Sequence, residues 1–183
     1  MQQSTEERLA LAEEAARHSS LIAGVVVDRV HVELMRNIMG CETRNVAHPV
    51  IFNSPLCGYP HQARYRTGLR AAALGIIPEA HKVKSIIDPW WEVQVELIKE
   101  SDAFPADFRE RIAWQIHDFF LSLEPFAEAN GRTARLLYFQ CVIALDLPVK
   151  LITVEKAAEY ADNQRRYRQN VFTPLMRSQG HLD

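Results

Sequence analysis

Cysteine, surplus positive charge and long apolar runs are all scarce in this chain. Its three cysteines, Cys41, Cys57 and Cys141, form neither a paired framework nor metal-ligand spacing. An odd count of that kind fits a reducing compartment. With 21 Lys and Arg against 23 Asp and Glu the formal charge is −2, which leaves no electrostatic footprint for nucleic acid. The basic stretch Gln-Arg-Arg-Tyr-Arg at 164–168 is too short to change that and reads as a solvated helix face. The longest apolar segment, 136–147, is too short to span a bilayer and is broken by Gln140. The opening Met-Gln-Gln-Ser-Thr-Glu-Glu is acidic and has no apolar signal region. The expectation is a cytoplasmic protein with neither membrane nor nucleic acid as partner. There is no internal repeat, low-complexity tract or linker, and 183 residues suit one domain, 1–183.

Helical signals dominate what is present. Ser4-Thr-Glu-Glu7 is a capping box opening a helix through Arg17, with Leu9, Ala12 and Ala16 on one face. Asp28 caps a second helix with Leu34, Met35, Ile38 and Met39 as its stripe and Gly40 as its stop. Prolines and glycines punctuate 41–60, which reads as an irregular loop. Asp88-Pro89 predicts a helix start that puts Val93, Leu97 and Ile98 inward and Glu92 in a dipole-favoured first turn. Pro105 opens the next helix, with Ile112, Ile116, Phe119, Phe120 and Leu123 inward and His117 as a core histidine. The apolar run 136–147 predicts a buried helix closed by Pro148, and Thr153 caps a last amphipathic one.

The stretch that carries chemistry is Glu124-Pro-Phe-Ala-Glu-Ala-Asn-Gly-Arg-Thr-Ala-Arg135. Asn130 and Gly131 fall where the buried helix begins, and the unpaired N–H groups of a helix start make an anion site. Arg132 and Arg135, at i, i+3, lie on one side of the first turn. The same residues equally suit a surface turn whose arginines pair with Glu124 and Glu128, and both readings stand on spacing alone.

The segment resembles the signature of Fic-domain proteins, His-Pro-Phe-x-(Asp/Glu)-Gly-Asn-Gly-Arg-x-x-Arg. Pro125, Phe126, Glu128, Asn130, Gly131, Arg132 and Arg135 match it, and His117 matches a recurrent position on the preceding helix. The resemblance covers about residues 19–167 and implies an all-α, Fic-like helical domain with a small β-hairpin flap. In it, 1–24 is an N-terminal helix resembling a degenerate inhibitory helix, 61–82 the flap and 117–147 the motif core. The departures are pointed. Glu124 replaces the family's catalytic histidine, Ala129 a glycine, and Ala23 the inhibitory glutamate of Ser-x-x-x-Glu-Gly, matched here by Ser19 and Gly24. Family members transfer AMP or a related group to a protein hydroxyl. Here two carboxylates would oppose nucleotide phosphates, and the Ala129 methyl would stand where the backbone approaches them.

A repurposed scaffold has one specific candidate. Arg66, His81 and Glu92 resemble, in order and approximate spacing, the active-site trio of bacterial β-carboline-forming Pictet–Spengler cyclases. That resemblance implies a small, homodimeric, cofactor-free and metal-free enzyme joining L-tryptophan to an aldehyde. Glu92 is then the acid/base, with Arg66 and His81 orienting the aldehyde partner and its carboxylate. Tyr65, Trp90, Trp91, Asn130, Arg132 and Arg135 are the expected substrate contacts, and Glu124 the alternative acid/base. Trp90 and Trp91 serve equally well as core residues at a helix start. The rival readings are a Fic-type AMP transferase using Glu124 as base with Mg²⁺ on Glu128, and a non-catalytic binding protein that keeps the anion site.

Overall fold

The computed structural model of the 183-residue chain describes residues 3–41, 65–67 and 77–183. Those residues are mostly helical. Seven α-helices run in chain order: α1 (Thr5–Ile22), α2 (Arg29–Met39), α3 (Val83–Lys99), α4 (Ala106–Leu123), α5 (Asn130–Ala144), α6 (Ala157–Tyr167) and α7 (Thr173–Ser178). No described helix is long and apolar enough to cross a membrane.

The N-terminal signals hold to the residue. The Ser4 side chain accepts from the Glu7 backbone while the Glu7 carboxylate accepts from Ser4 N, so two otherwise unpaired donors are met reciprocally. The helix runs five residues beyond Arg17, to Ile22, and Leu9 is exposed while Ala12 and Ala16 are buried. Asp28 caps α2 by accepting from His31 N at 2.7 Å. Small Ala12, Ala15 and Ala16 let α1 lie close, and Met35, Ile38 and Met39 of α2 join them in the core.

α4 and α5 form the centre. Phe119, Phe120, Leu123 and Phe126 interlock with Leu136, Leu137, Tyr138 and Phe139, as the apolar stripe of α4 and the run 136–147 predict. α5 itself ends at Ala144, ahead of Pro148, with Asp146 left-handed at φ 56°, and the turn Val154–Lys156 then leads into α6. α6 does not stop at its end. It passes through a π-helical turn, Arg168–Phe172, directly into α7. Such a turn inserts one residue per turn and often marks a constrained position.

Three expectations are corrected here. Asp88-Pro89 does not open a helix: α3 begins at Val83 and carries Pro89 inside it. Ile86 and Ile87 are buried, and their burial holds the extra turn in place before the proline. Val93 is exposed rather than inward. The 164–168 stretch is not a uniformly solvated face, because Gln164 and Arg168 are deeply buried. The flap at 61–82 and the loop at 41–60 fall largely outside the described residues. In their described part, Ala80–Lys82 is a 3₁₀ turn, and Tyr65 makes an isolated antiparallel bridge with Phe126.

Candidate functional site

The motif loop is held by its own backbone partners before any ligand is considered. The Asn130 side chain accepts from Phe126 N at 2.9 Å and donates to Phe126 O at 2.8 Å, closing the loop on itself. Thr133 Oγ1 donates to Ala129 O. Tyr65 stacks on Phe126 with ring centroids 6.1 Å apart, and its hydroxyl donates to Asp88. Burial and the neighbouring Asp88 carboxylate raise the Tyr65 pKa. Arg66 is buried beneath the loop. Its backbone N–H donates to Pro125 O, its Nε to Glu124 O at 2.9 Å and its Nη2 to Pro78 O. The arginine predicted to orient an aldehyde therefore clamps two chain segments together.

Glu124 ends α4 in the left-handed region, φ 47° and ψ 60°, a conformation that penalises any residue with a Cβ. Arg168 explains why a glutamate stands there. Its Nη2 donates to Ser122 O at 2.9 Å and Leu121 O at 3.2 Å, the terminal carbonyls of α4, and to Glu124 Oε1 at 3.2 Å. A cation at a helix C-terminus meets unpaired carbonyls and the negative end of the dipole. The guanidinium is 2% exposed and the Glu124 side chain 10%, so the pair is buried. Burial holds the Arg168 pKa below its usual range, and Glu124 opposes that shift. Ala129, also left-handed at φ 60°, stands at the N-cap of α5.

Arg132 and Arg135 separate. Arg132 pairs with Asp28 of the α2 cap at 3.1 Å. Arg135 is buried, with Nε donating to Ser19 Oγ at 2.9 Å, Nη2 to Ser19 O at 2.6 Å and Nη1 to the Tyr160 hydroxyl at 3.2 Å. Its guanidinium also lies over the Tyr160 ring. Tyr160 in turn contacts His117 Nε2 at 2.9 Å, and His117 Nδ1 contacts Asp118 Oδ1 at 2.7 Å. Since Asp118 only accepts, His117 carries a proton on Nδ1, and in the neutral ring the Tyr160 hydroxyl donates to Nε2. Burial lowers the His117 pKa in agreement with that state.

These groups surround a cleft of about 440 Å³ between the end of α1, the motif loop and α6. Glu124, Asn130, Gly131, Arg132 and Arg135 line one side, while Ile22, Ala23, Leu121, Ala157, Tyr160, Ala161 and Gln164 form the rest. Ala23 thus presents a methyl group to the motif. The volume suits a small organic molecule.

The other expected residues lie elsewhere. Trp91 is a core residue, and Trp90 stacks on Phe119 at 4.3 Å with 13° between the rings. Glu92 sits in the third turn of α3, not the first, and is exposed among the described residues. His81 is exposed and pairs with Glu79 at 3.1 Å. Among the described residues, Arg66 is thus a buried clamp while His81 and Glu92 face solvent.

Sequence reasoning missed Arg168, Tyr160 and Gln164. A signal existed: 160, 164 and 168 recur at i, i+4, i+8, a polar stripe on one helical face. No family model matches this chain, and neither curated proteins nor solved structures give a match. The Fic resemblance rests on the motif residues of the sequence alone.

Proposed function

We propose that the chain is a Fic-like domain whose motif cleft has become a cofactor-free, small-molecule condensing and cyclising site of Pictet–Spengler type. In this reading Glu124, not Glu92, is the acid/base. The observation that carries it is a largely buried carboxylate, fixed by Arg168, in a mostly apolar cleft of about 440 Å³. Condensation joins the amine nitrogen of L-tryptophan or a similar arylethylamine to an aldehyde carbon, and water leaves as the iminium forms. The indole C2 then bonds to the iminium carbon, and the C2 proton must depart. Bulk water is a poor base within an apolar cleft, and Glu124 supplies one in place. Arg168 holds that carboxylate at a fixed position beside the reacting atoms. Arg132 lines the same cleft, and its contact with Asp28 uses one of five guanidinium donors. It is the group placed to hold a substrate carboxylate.

Nucleotide transfer is less well served. Arg135, which would hold phosphate, already has Ser19 and Tyr160 as partners. Glu124 brings like charge to a polyphosphate where the resembled family has imidazole. Calorimetric titration compares L-tryptophan with ATP and Mg²⁺. The proposal expects L-tryptophan to bind and ATP to bind poorly. Micromolar ATP affinity accompanied by AMP transfer to a protein would overturn it in favour of a Fic-type transferase. Binding of either without turnover would leave a binding protein.

A further inference from the structure

A second cleft lies on the far side of Tyr160 and Gln164, between α4, α6 and the segment 150–152. Its volume is about 450 Å³. Trp114, half-buried and backed by Tyr138 at 4.3 Å between ring centroids, forms an aromatic wall, with Leu151 and Ile152 as apolar neighbours.

The polar groups here are chiefly acceptors. Asp118 lines the cleft with its side chain 16% exposed, and its Oδ1 accepts from both His117 and Gln164. Because a carboxylate cannot donate, the Gln164 nitrogen must face Asp118. That leaves Gln164 Oε1, in a side chain that is 97% buried, with no partner among the described residues. That oxygen is itself closed off from the cleft, so Asp118 is the acceptor that a ligand can reach. Of the charged groups at the rim, Lys150 is paired with Glu110 at 2.8 Å, leaving Asp118 and Glu159 against Lys156. The balance is anionic, and an indole face attracts cations.

We propose that this cleft binds a protonated arylalkylamine, its ammonium on Asp118 and its ring against Trp114. The ammonium brings donors and a positive charge to a cleft that has a carboxylate and an anionic rim. Its ring replaces water on an apolar wall. The site is separate from the motif cleft and does not rest on the cyclisation reading.

The test is calorimetric titration of the full chain with tryptamine, indole and indole-3-acetate, with no aldehyde present. Tryptamine should bind, indole more weakly, and indole-3-acetate not measurably. Asp118→Asn should weaken tryptamine roughly tenfold or more, the scale of one charge-assisted hydrogen bond. Lys99→Ala, an exposed residue outside both clefts, should leave it unchanged. Trp114→Leu serves as the second variant if Asp118→Asn loses its helical circular dichroism, and it too should lose tryptamine. Four results would overturn the proposal: no tryptamine binding, tighter indole-3-acetate than tryptamine, equal indole and tryptamine, or tryptamine binding unchanged by both Asp118→Asn and Trp114→Leu. The last would place the amine outside this cleft.

Discussion

Replacing Glu124 probes the pair that holds the motif cleft open to chemistry. Arg168 is 2% exposed and directs one nitrogen at Glu124 and at two α4 carbonyls. Glu124→Ala leaves a buried cation with carbonyl dipoles alone, and breaking a buried pair from one side costs about 3–5 kcal/mol. Glu124→Gln keeps an acceptor of the same shape and loses only the charge assistance, about 1–2 kcal/mol. Glu124→His, which would restore the residue of the resembled family, also leaves Arg168 unpaired and should cost about as much as alanine. Arg168→Met removes the buried cation that faces the Glu124 carboxylate, a loss of about 3 kcal/mol. The double variant Glu124→Ala/Arg168→Met removes both charges together. It should be less destabilised than the sum of its parents by about 2 kcal/mol or more. Urea denaturation followed by far-UV circular dichroism gives all five values. Additivity within about 0.5 kcal/mol would refute a coupled, buried pair.

Three other predictions concern the frame around the cleft. Ala129 is left-handed, so Ala129→Gly should raise stability by about 0.5–1 kcal/mol in the same assay, the αL penalty less the added chain entropy. Arg66→Lys can satisfy at most one of the carbonyls of Glu124 and Pro78, and should lower stability by about 2 kcal/mol. His31 is fully buried with neither ring nitrogen partnered among the described residues. Burial, aided by Arg132 and Arg135 against the opposing Asp28, pushes its pKa down to about 4. The unfolded chain binds this proton near 6.5 and the folded chain only near 4. The stability is therefore complete above 6.5 and is lost as pH falls through 4, by about 3 kcal/mol. His31→Phe should flatten that part of the stability–pH curve, and an unchanged slope would assign it to other groups.

What was legible in the sequence follows from how local each determinant is. Ser4 and Asp28 cap their helices as read, because a cap depends on residues three positions away. The run 136–147 is buried as its composition requires. Asp88-Pro89 misled for the opposite reason. The dipeptide is a strong local start signal, yet the burial of Ile86 and Ile87 carries the helix through it, so tertiary packing decides. That shift moved Glu92 out of the first turn and Trp91 into the core. Arg135 reads locally as an anion ligand, and only contact with Ser19, 116 residues away, shows it as a tie between α5 and α1. Arg168 reads as one more charge on a basic helix, and only the end of α4 against it gives it a partner.

The central claim is that Glu124 in the motif cleft acts as the base of a condensation. It is tested most directly by incubating the protein with L-tryptophan and phenylglyoxal and following the tetrahydro-β-carboline product by absorbance and mass. Wild type should form product above the uncatalysed rate. Glu124→Gln should still bind L-tryptophan and turn over roughly a hundredfold more slowly or worse, the scale of a lost general acid–base group, while Glu92→Gln should match wild type. No product from wild type, or full activity in Glu124→Gln, would contradict the account.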